Sequence, residues 1–289
     1  MELSLDSMRI LTFDIEEWFH ILDNESTKTV NEWPNYESRI EENIDRILNV
    51  LDVCGYKATF FCLGWIVDKY PEIIKKIIQR GYEVGSHTQM HQLIYEQNPK
   101  SFRSDIDYSI KSIQDLTGEK VRYFRAPGFS IRDDNKWAFE VIAEYGIEID
   151  CSVFPAPRSH GGLPSYKEPL PSIIKYNGIT LKELPINYVN VLGRPIIYSG
   201  GGYFRMFPYF LIKKWTSQAD YVMSYLHPRD FDPDQPVIKE LSIDRRFKSY
   251  VGLKGAERKL EQWLRDFEFI DIGTADKMID WDNVPIVQL

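Results

Sequence analysis

The stretch EVGSHTQMHQLIY carries two of the chain's five histidines, His87 and His91, four positions apart. On a helix that spacing puts both imidazoles on one face, but EVGSH reads as a short strand running into a polar turn, so the pair sits at a strand end. Alone, two histidines so spaced are ambiguous between a metal-binding pair and two unrelated surface residues. Other polar groups fall at comparable places: Asp14, Glu16 and Glu17 after LTF, Arg125 after RYF, Asp150 in IEID and His227 in YVMSYLH. Two imidazoles and one carboxylate form a facial ligand set for Zn2+ or a similar ion, with positions open for water and substrate. A second carboxylate can then serve as general base, a separate histidine can protonate a leaving group, and an arginine can hold the base ionised. Such a set suits metal-assisted hydrolysis of an acyl group.

The elements that must position these groups follow a regular alternation. MRILTFDI (8–15), KATFFCLG (57–64), YEVGSH, VRYFRAPG and IEIDCSVF read as short buried strands. Between them, Ile44, Ile47, Leu48 and Leu51 recur at helical spacing before Gly55. Ile73, Ile74, Ile77 and Ile78 do so between Pro71 and Gly81, and Phe102, Ile106, Ile110 and Ile113 before Gly118. DDNKWAFEVIAEYG reads as a fourth helix. Strand–helix repetition predicts an α/β fold with a parallel sheet, open or barrel-like, whose ligands gather at the C-terminal ends of the strands. Residues 155–206, with seven prolines and an SGGGYFR loop, read as an insertion of loops and short strands within a single domain, 1–289. DYVMSYLH (220–227), a helix near 255–267 and a strand FEFIDIG (267–273) complete the pattern. No GxGxxG or Walker-type phosphate loop occurs.

Composition narrows the class. The chain has 289 residues, 43% hydrophobic, and a net charge of −8, which argues against a nucleic-acid surface. The longest basic cluster, RRFK at 245–248, is short and reads as a solvated turn or loop. Cys54, Cys62 and Cys151 form no CxxC and fit a reducing compartment. The start, MELSLDSMRILTFD, lacks the pattern of a signal peptide, and no apolar run is long enough to span a bilayer. The expected location is cytoplasmic. Oligomeric state leaves no mark on the sequence.

Taken in order, LTFDIEEWFH, GSHTQMH, YFRAPGFS, IDCSVFP and YLHPRDFDP resemble the five motifs of the NodB-homology polysaccharide deacetylases, carbohydrate esterase family 4, over roughly residues 8–275. The variant first motif, SGGGYFRMFPY and the basic tail RRFKSYVGLKGAERKLEQWLRDFEF are similar to a subgroup associated with bacterial exopolysaccharide and surface-glycan clusters. The resemblance implies a distorted, incomplete (β/α) barrel and a metal-dependent hydrolase, with zinc as the expected ion, that removes an N-acetyl group from an amino sugar of a surface polysaccharide or its precursor.

By position, the resemblance makes Asp14 the general base, His87 and His91 metal ligands, and Arg125 the arginine that holds the base. The Gly128 N–H becomes an oxyanion donor, and Asp150 the residue that orients His227, the general acid. The family's first motif has two adjacent aspartates, the second a metal ligand; here Ile15 stands there. Side chains alternate along a strand, so Glu16 shares the face of Asp14 and can supply the carboxylate. The alternatives are that Asp14 binds the metal or that the site needs none. Gly201 and Tyr203 of the glycine loop and His20 are expected at the sugar, and Glu17 at the rim. His160 is expected in solvent, and Trp18 and Trp65 in the core. The rival functions are a metal-free, allantoinase-like amidohydrolase and a catalytically silent glycan-binding protein.

Overall fold

The computed structural model describes residues 7–22, 27, 29–157 and 161–289. His160 lies outside the described residues. The chain, read above as one domain, divides into two compact units, each assembled from separate stretches: residues 1–58 with 189–270, and residues 59–188 with 271–289.

In the first unit the expected strand 8–15 is two strands, Met8–Ile10 and Thr12–Ile15. Met8–Ile10 runs parallel to Tyr221–Met223, with Ile10 opposite Met223. The pairing continues past both strands: Phe13 bridges Leu226, and the Asp14 N–H donates to the Leu226 carbonyl at 2.8 Å. Thr12 and Ser224 reinforce it side by side, the Thr12 N–H donating to Ser224 Oγ at 2.7 Å and the Thr12 hydroxyl to the Ser224 carbonyl. All four residues of Thr12–Ile15 are buried, so the strand's polar residues are held by the fold rather than by water. The helix Ile40–Cys54 buries Ile40, Ile44, Ile47, Leu48 and Leu51 and ends at Gly55 in the left-handed region, φ 76°. Its start has no cap from Arg39. Instead Glu17 reaches over: Oε1 accepts from the Arg39 N–H at 3.0 Å, the Ile40 N–H at 3.2 Å and the Ser38 hydroxyl at 2.5 Å. A carboxylate at a helix N-terminus satisfies open N–H groups and the helix dipole together. Glu17, expected at the rim, is therefore a buried cap. The basic run RRFK lies in the helix Ile243–Tyr250, not in a turn. The helix Ala256–Asp266 places Leu260, Trp263 and Leu264 inside.

The second unit holds the repeated strand–helix pattern. Thr59–Cys62, Glu83–Ser86, Tyr123–Phe124, Ile149–Asp150 and Ile179–Glu183 stand side by side and parallel. The crossovers are Gly64–Lys69 with Pro71–Gln79, then Pro99–Thr117, then Trp137–Glu144. Gly118 ends Pro99–Thr117 as the sequence predicts, and the structure adds a cap at its start, Asn98. Each of the first four strands is shorter than the stretch read as a strand, and two of them keep only two residues, Tyr123–Phe124 and Ile149–Asp150. VRYFRAPG keeps only Tyr123–Phe124, because Pro127 and left-handed Gly128 (φ 61°) turn the chain out of the sheet. The segment read as an insertion adds a strand pair to the sheet, Ser172–Tyr176 antiparallel to Ile179–Glu183 across Asn177 (φ 43°) and Gly178 (φ 84°). Two consecutive positive φ values are what a tight hairpin turn requires. Ile286–Gln288 then pairs with Ser172–Tyr176.

The strand expected at 267–273 is not formed. Ile270 makes a single bridge to Ile10 in the first unit. In the second, Asp271 caps a helix, Ile272–Met278, by accepting from the Thr274 N–H at 2.8 Å.

The Glu17 cap is a direct test of this account. Glu17→Ala removes the acceptor of three donors and should cost about 1–2 kcal/mol. Denaturant unfolding measures that loss, and an unchanged midpoint would mean water replaces the cap without penalty.

Candidate functional site

The two units carry different parts of the expected chemistry. In the first, the end of Thr12–Ile15 brings Asp14 and Glu16 to one histidine. His227 Nε2 lies 3.3 Å from Glu16 Oε1 and 3.9 Å from Asp14 Oδ2. Ile15 points the other way and is fully buried. The strand alternation expected for this motif is therefore the one observed. On its other edge, His227 Nδ1–H donates to Asp230 Oδ2 at 3.1 Å, and the His227 N–H donates to the same oxygen at 3.0 Å. Arg205 Nε–H donates to Asp230 Oδ1 at 2.9 Å. Burial pulls the His227 pKa down, but Glu16, Asp230 and Asp14 outweigh it and carry the imidazole up to about 9. Burial raises Asp230, and Arg205, His227 and Arg229 more than offset that, leaving it at about 2.

In the second unit, His87 leaves the end of Glu83–Ser86 and His91 follows in a tight turn. The His87 Nδ1 is 2.7 Å from the Arg125 carbonyl oxygen. A carbonyl only accepts, so Nδ1 carries the proton and Nε2 keeps its lone pair. That is the tautomer a metal-ligating histidine needs, with the carbonyl orienting the ring. The His87 and His91 rings are 5.3 Å apart, centroid to centroid. The turn between them is strained: Thr88 and His91 are left-handed, φ 67° and 53°. Asp105, on the Pro99–Thr117 helix, holds it by accepting from the Gln89 N–H at 2.8 Å and the Met90 N–H at 3.2 Å. Burial pushes Asp105 up to about 6. The donor set therefore suits a divalent cation.

Arg125 is fully buried, its guanidinium 4.2 Å from the Phe61 ring centroid and its Nε–H donating to the Cys151 carbonyl at 3.4 Å. Gly128, the expected oxyanion donor, is half-buried in a left-handed turn. Asp150 departs from the role expected of it. Its partners are Ser152, whose hydroxyl donates to Oδ1 at 2.5 Å, and Glu183, directly opposite on the neighbouring strand. The carboxylate at His227 Nδ1 is Asp230 instead. Asp230 was missed because its signal is local: an acid three residues after the histidine, in HPRD. Arg205 had no signal beyond its place in the glycine run.

Asp150 and Glu183 are both fully buried. Asp150 Oδ2 and Glu183 Oε2 find no ordinary donor, which a single shared proton resolves. Burial raises both. It raises Asp150 to about 6 and Glu183 well above the usual carboxylate range, with the Asp150 charge adding to the shift on Glu183. Glu183 is the proton's holder.

Three residues expected at the sugar have other settings. His20 is 3% exposed, its Nδ1 accepting from the Glu17 N–H at 3.1 Å and its ring 4.1 Å from that of Trp33. It is a packed residue of the Glu17 turn. SGGGYFR is no flexible loop, since Gly201–Met206 is a helix. Gly201 is buried, and a Cβ there would come within 3.0 Å of the Tyr225 hydroxyl. Tyr203 stacks on Phe207 with ring centroids 5.9 Å apart. Trp18 is core as expected, its Nε1–H donating to the Glu37 carbonyl at 2.9 Å, and Trp65 is half-buried.

Comparison with known proteins agrees with the resemblance. Residues 9–149 match the model of the family described as "Polysaccharide deacetylase", and residues 151–277 match a domain of unknown function (DUF3473). A peptidoglycan-N-acetylglucosamine deacetylase of Bacillus cereus is 33% identical over 107 residues, 36% of this chain and 39% of that protein. Chitin deacetylase 1 of Saccharomyces cerevisiae is 28% identical over 93 residues, 32% of this chain and 30% of that protein. The matches thus span less than half of these relatives. Among solved structures, a candidate polysaccharide deacetylase from Mycobacterium smegmatis superposes with a TM-score of 0.66 at 15% identity, covering 98% of this chain and 93% of that one. A CE4-family pseudoenzyme from Bacillus anthracis gives 0.51 at 13% identity, over 93% of this chain and 65% of that one. These likenesses show the fold, the α/β architecture of the polysaccharide deacetylases.

The Asp150–Glu183 pair has a pH signature. Both pKa values are raised on folding, so their stabilising contribution is full below the unfolded carboxylate range and is lost as pH rises through the folded values, from about 6 upward. Glu183→Gln keeps a donor for Asp150 and cannot ionise. The stability of this variant relative to wild type should therefore improve as pH rises from about 5 to about 8. A difference that does not change with pH would mean the pair does not share a proton.

Proposed function

We propose, from the match of residues 9–149 to the polysaccharide deacetylase family model, that the chain is a hydrolase removing the N-acetyl group from an amino sugar of a bacterial surface polysaccharide or its precursor. The observation that carries this reading is the His87 Nδ1–H bond to the Arg125 carbonyl at 2.7 Å, which leaves Nε2 as a ligand beside His91. Relatives whose names specify deacetylation of peptidoglycan N-acetylglucosamine and of chitin support an N-acetylated glycan as substrate.

In this reading His87, His91 and Glu16 hold a divalent cation, with zinc the expected one. Bound there, the ion would lower the pKa of a water and polarise the acetyl carbonyl. Asp14 takes the proton of the attacking water, and Arg125 is the arginine that the resemblance assigns to hold it. The Gly128 N–H donates to the oxyanion of the tetrahedral intermediate. His227 gives a proton to the departing amine, which the two carboxylates on its Nε2 side and Asp230 on its Nδ1 side prepare by favouring the charged imidazolium. Acetate and a free amino sugar result. A cytoplasmic site of action is part of the proposal. It is supported by three free cysteines, two of them buried. No helix among the described residues is long and apolar enough to cross a membrane.

Metal analysis of the purified protein, paired with acetate release from N-acetylglucosamine oligomers, tests the reading. A single bound divalent ion is expected, with turnover abolished by chelation and restored by zinc. His87→Ala and His91→Ala should lose the ion. Turnover that ignores chelation would point instead to a metal-free amidohydrolase, and glycan binding without acetate to a silent site.

Single substitutions separate the roles. Glu16→Gln should weaken metal retention, whereas Asp14→Asn should keep the metal and lose turnover. His227→Ala should keep the metal and lose amide hydrolysis far more than hydrolysis of an activated acetyl ester, because an amine cannot leave unprotonated and an activated alcohol can. Full metal occupancy and activity in Glu16→Gln would overturn the ligand assignment, and equal loss on both substrates in His227→Ala would overturn the acid.

Asp105→Ala, which frees the strained turn, should weaken metal affinity about 10–100-fold without removing any ligand. Unchanged affinity would mean the turn holds its shape unaided.

A further inference from the structure

The glycine run SGGGYFR and the arginine that closes it take no part in the chemistry above, yet they are built with unusual closeness. The Arg205 side chain is 3% exposed, as is that of its partner Asp230. Every edge of the guanidinium is engaged. Nε–H donates to Asp230 Oδ1 at 2.9 Å, Nη1–H to the Val251 carbonyl at 2.8 Å and Nη2–H to the Lys248 carbonyl at 3.0 Å. The fork is thereby fixed in plane and direction, which a lysine's single point charge cannot reproduce. It fixes Asp230 in turn. One carboxylate oxygen takes Arg205, and the other takes both the His227 N–H and Nδ1–H. The Asp230 N–H donates back to the His227 carbonyl at 2.9 Å.

The glycines are explained by the same assembly. A Cβ on Gly202 would lie 2.7 Å from the Lys248 carbonyl oxygen, the acceptor Arg205 uses. A Cβ on Gly252, left-handed at φ 73°, would lie 2.4 Å from the Arg205 carbonyl oxygen. A Cβ on Gly200 would lie 1.9 Å from the Tyr225 carbonyl oxygen, and the Tyr225 ring stands edge-on to His227 at 5.7 Å. Three glycines allow the backbone to close around Arg205 and Tyr225, and through them around His227.

We infer that Arg205, acting through Asp230, is the positioning residue for His227, and that residues 200–251 form the part of the chain that delivers the acid. The role of His227 as acid rests on the proposed deacetylase reading; its positioning does not. The assignment gives a purpose to a stretch lying within the match to a domain of unknown function. A buried ion pair is costly relative to apolar packing of the same volume. Here it imposes one tautomer and one ring orientation: a proton stays on Nδ1 facing Asp230, and Nε2 faces Asp14 and Glu16. Asp230 and Arg205 touch no reacting atom, so they are positioning residues.

Two variants, Asp230→Asn and Arg205→Lys, test this, with nitrogen-15 NMR of histidine-labelled protein in the absence of metal and substrate. The spectra are taken above about pH 9.5, where the ring is neutral. Wild type should then show the Nδ1–H tautomer of His227. In Asp230→Asn the neutral ring should move to the Nε2–H tautomer, and in Arg205→Lys it should show a mixture. With the metal-loaded protein, Asp230→Asn should keep metal content and KM while kcat on an N-acetyl sugar falls on the order of 100-fold or more. An activated acetyl ester should lose much less. Arg205→Lys should fall between, roughly 10-fold. Variants that fold and keep the Nδ1–H tautomer, or lose both substrates equally, would overturn the assignment. Should one variant not fold, the other carries the test. If wild type releases no acetate from any N-acetyl glycan, the deacetylase reading fails, and the NMR result still decides the positioning.

Discussion

An ionisable group withdrawn from water must be either paired or neutral, and that requirement arranges both units of this chain. Asp230 remains charged because Arg205 and His227 share its two oxygens. Glu17 lies 1% exposed because a helix start and a serine give it donors. Asp150 and Glu183 face each other and are accommodated by the other route, in which one keeps its proton. Each solution dictates backbone. Glu17 sets where the Ile40–Cys54 helix begins, and Arg205 sets how closely residues 248–251 approach the Gly201–Met206 helix. Unpaired, any of these groups would cost more than several apolar contacts return.

The same economy of donors explains the strained turn that carries His91. Two left-handed residues, Thr88 and His91, cost energy that an isolated peptide would avoid. Asp105 supplies two acceptors where the turn presents two N–H groups. The Gly64 and Trp65 N–H groups, at the start of the Gly64–Lys69 helix, donate to the Thr88 and Gln89 carbonyls at 2.9 and 3.0 Å. The turn is thus tied on both its donor and acceptor sides. A histidine side chain placed by such a turn is held by the scaffold before any ligand arrives, the condition for a site that does not reorganise on binding.

How much of this was legible in the sequence depends on the range of the interaction. The parallel strands and their crossover helices follow from apolar periodicity, and so does the sharing of one face by Asp14 and Glu16 around Ile15, since both depend on neighbours along the chain. The helix in residues 201–206 was hidden by its glycines, which lower helix propensity and are there for contact with Tyr225 and Lys248, far away in sequence. The strand expected at 267–273 failed because Asp271 prefers to cap a helix over continuing a ladder. His20 looked like a site residue because it follows two acids and two aromatics. Its packing on Trp33 is a tertiary fact. Asp150 was assigned to His227 from the resemblance, and the nearer acid, Asp230, holds the place.

The first motif places its two carboxylates one residue further apart than the family pattern does, and strand geometry accounts for the spacing. Two adjacent residues of a strand cannot both face one imidazole, because their side chains alternate. Asp14 and Glu16, separated by a buried isoleucine, can. Their oxygens reach the same His227 Nε2 at 3.9 and 3.3 Å. Residue 16 already lies beyond the strand Thr12–Ile15, so its backbone has begun to leave the ladder that holds Asp14. A glutamate at 15 would instead point into the core that Ile15 fills.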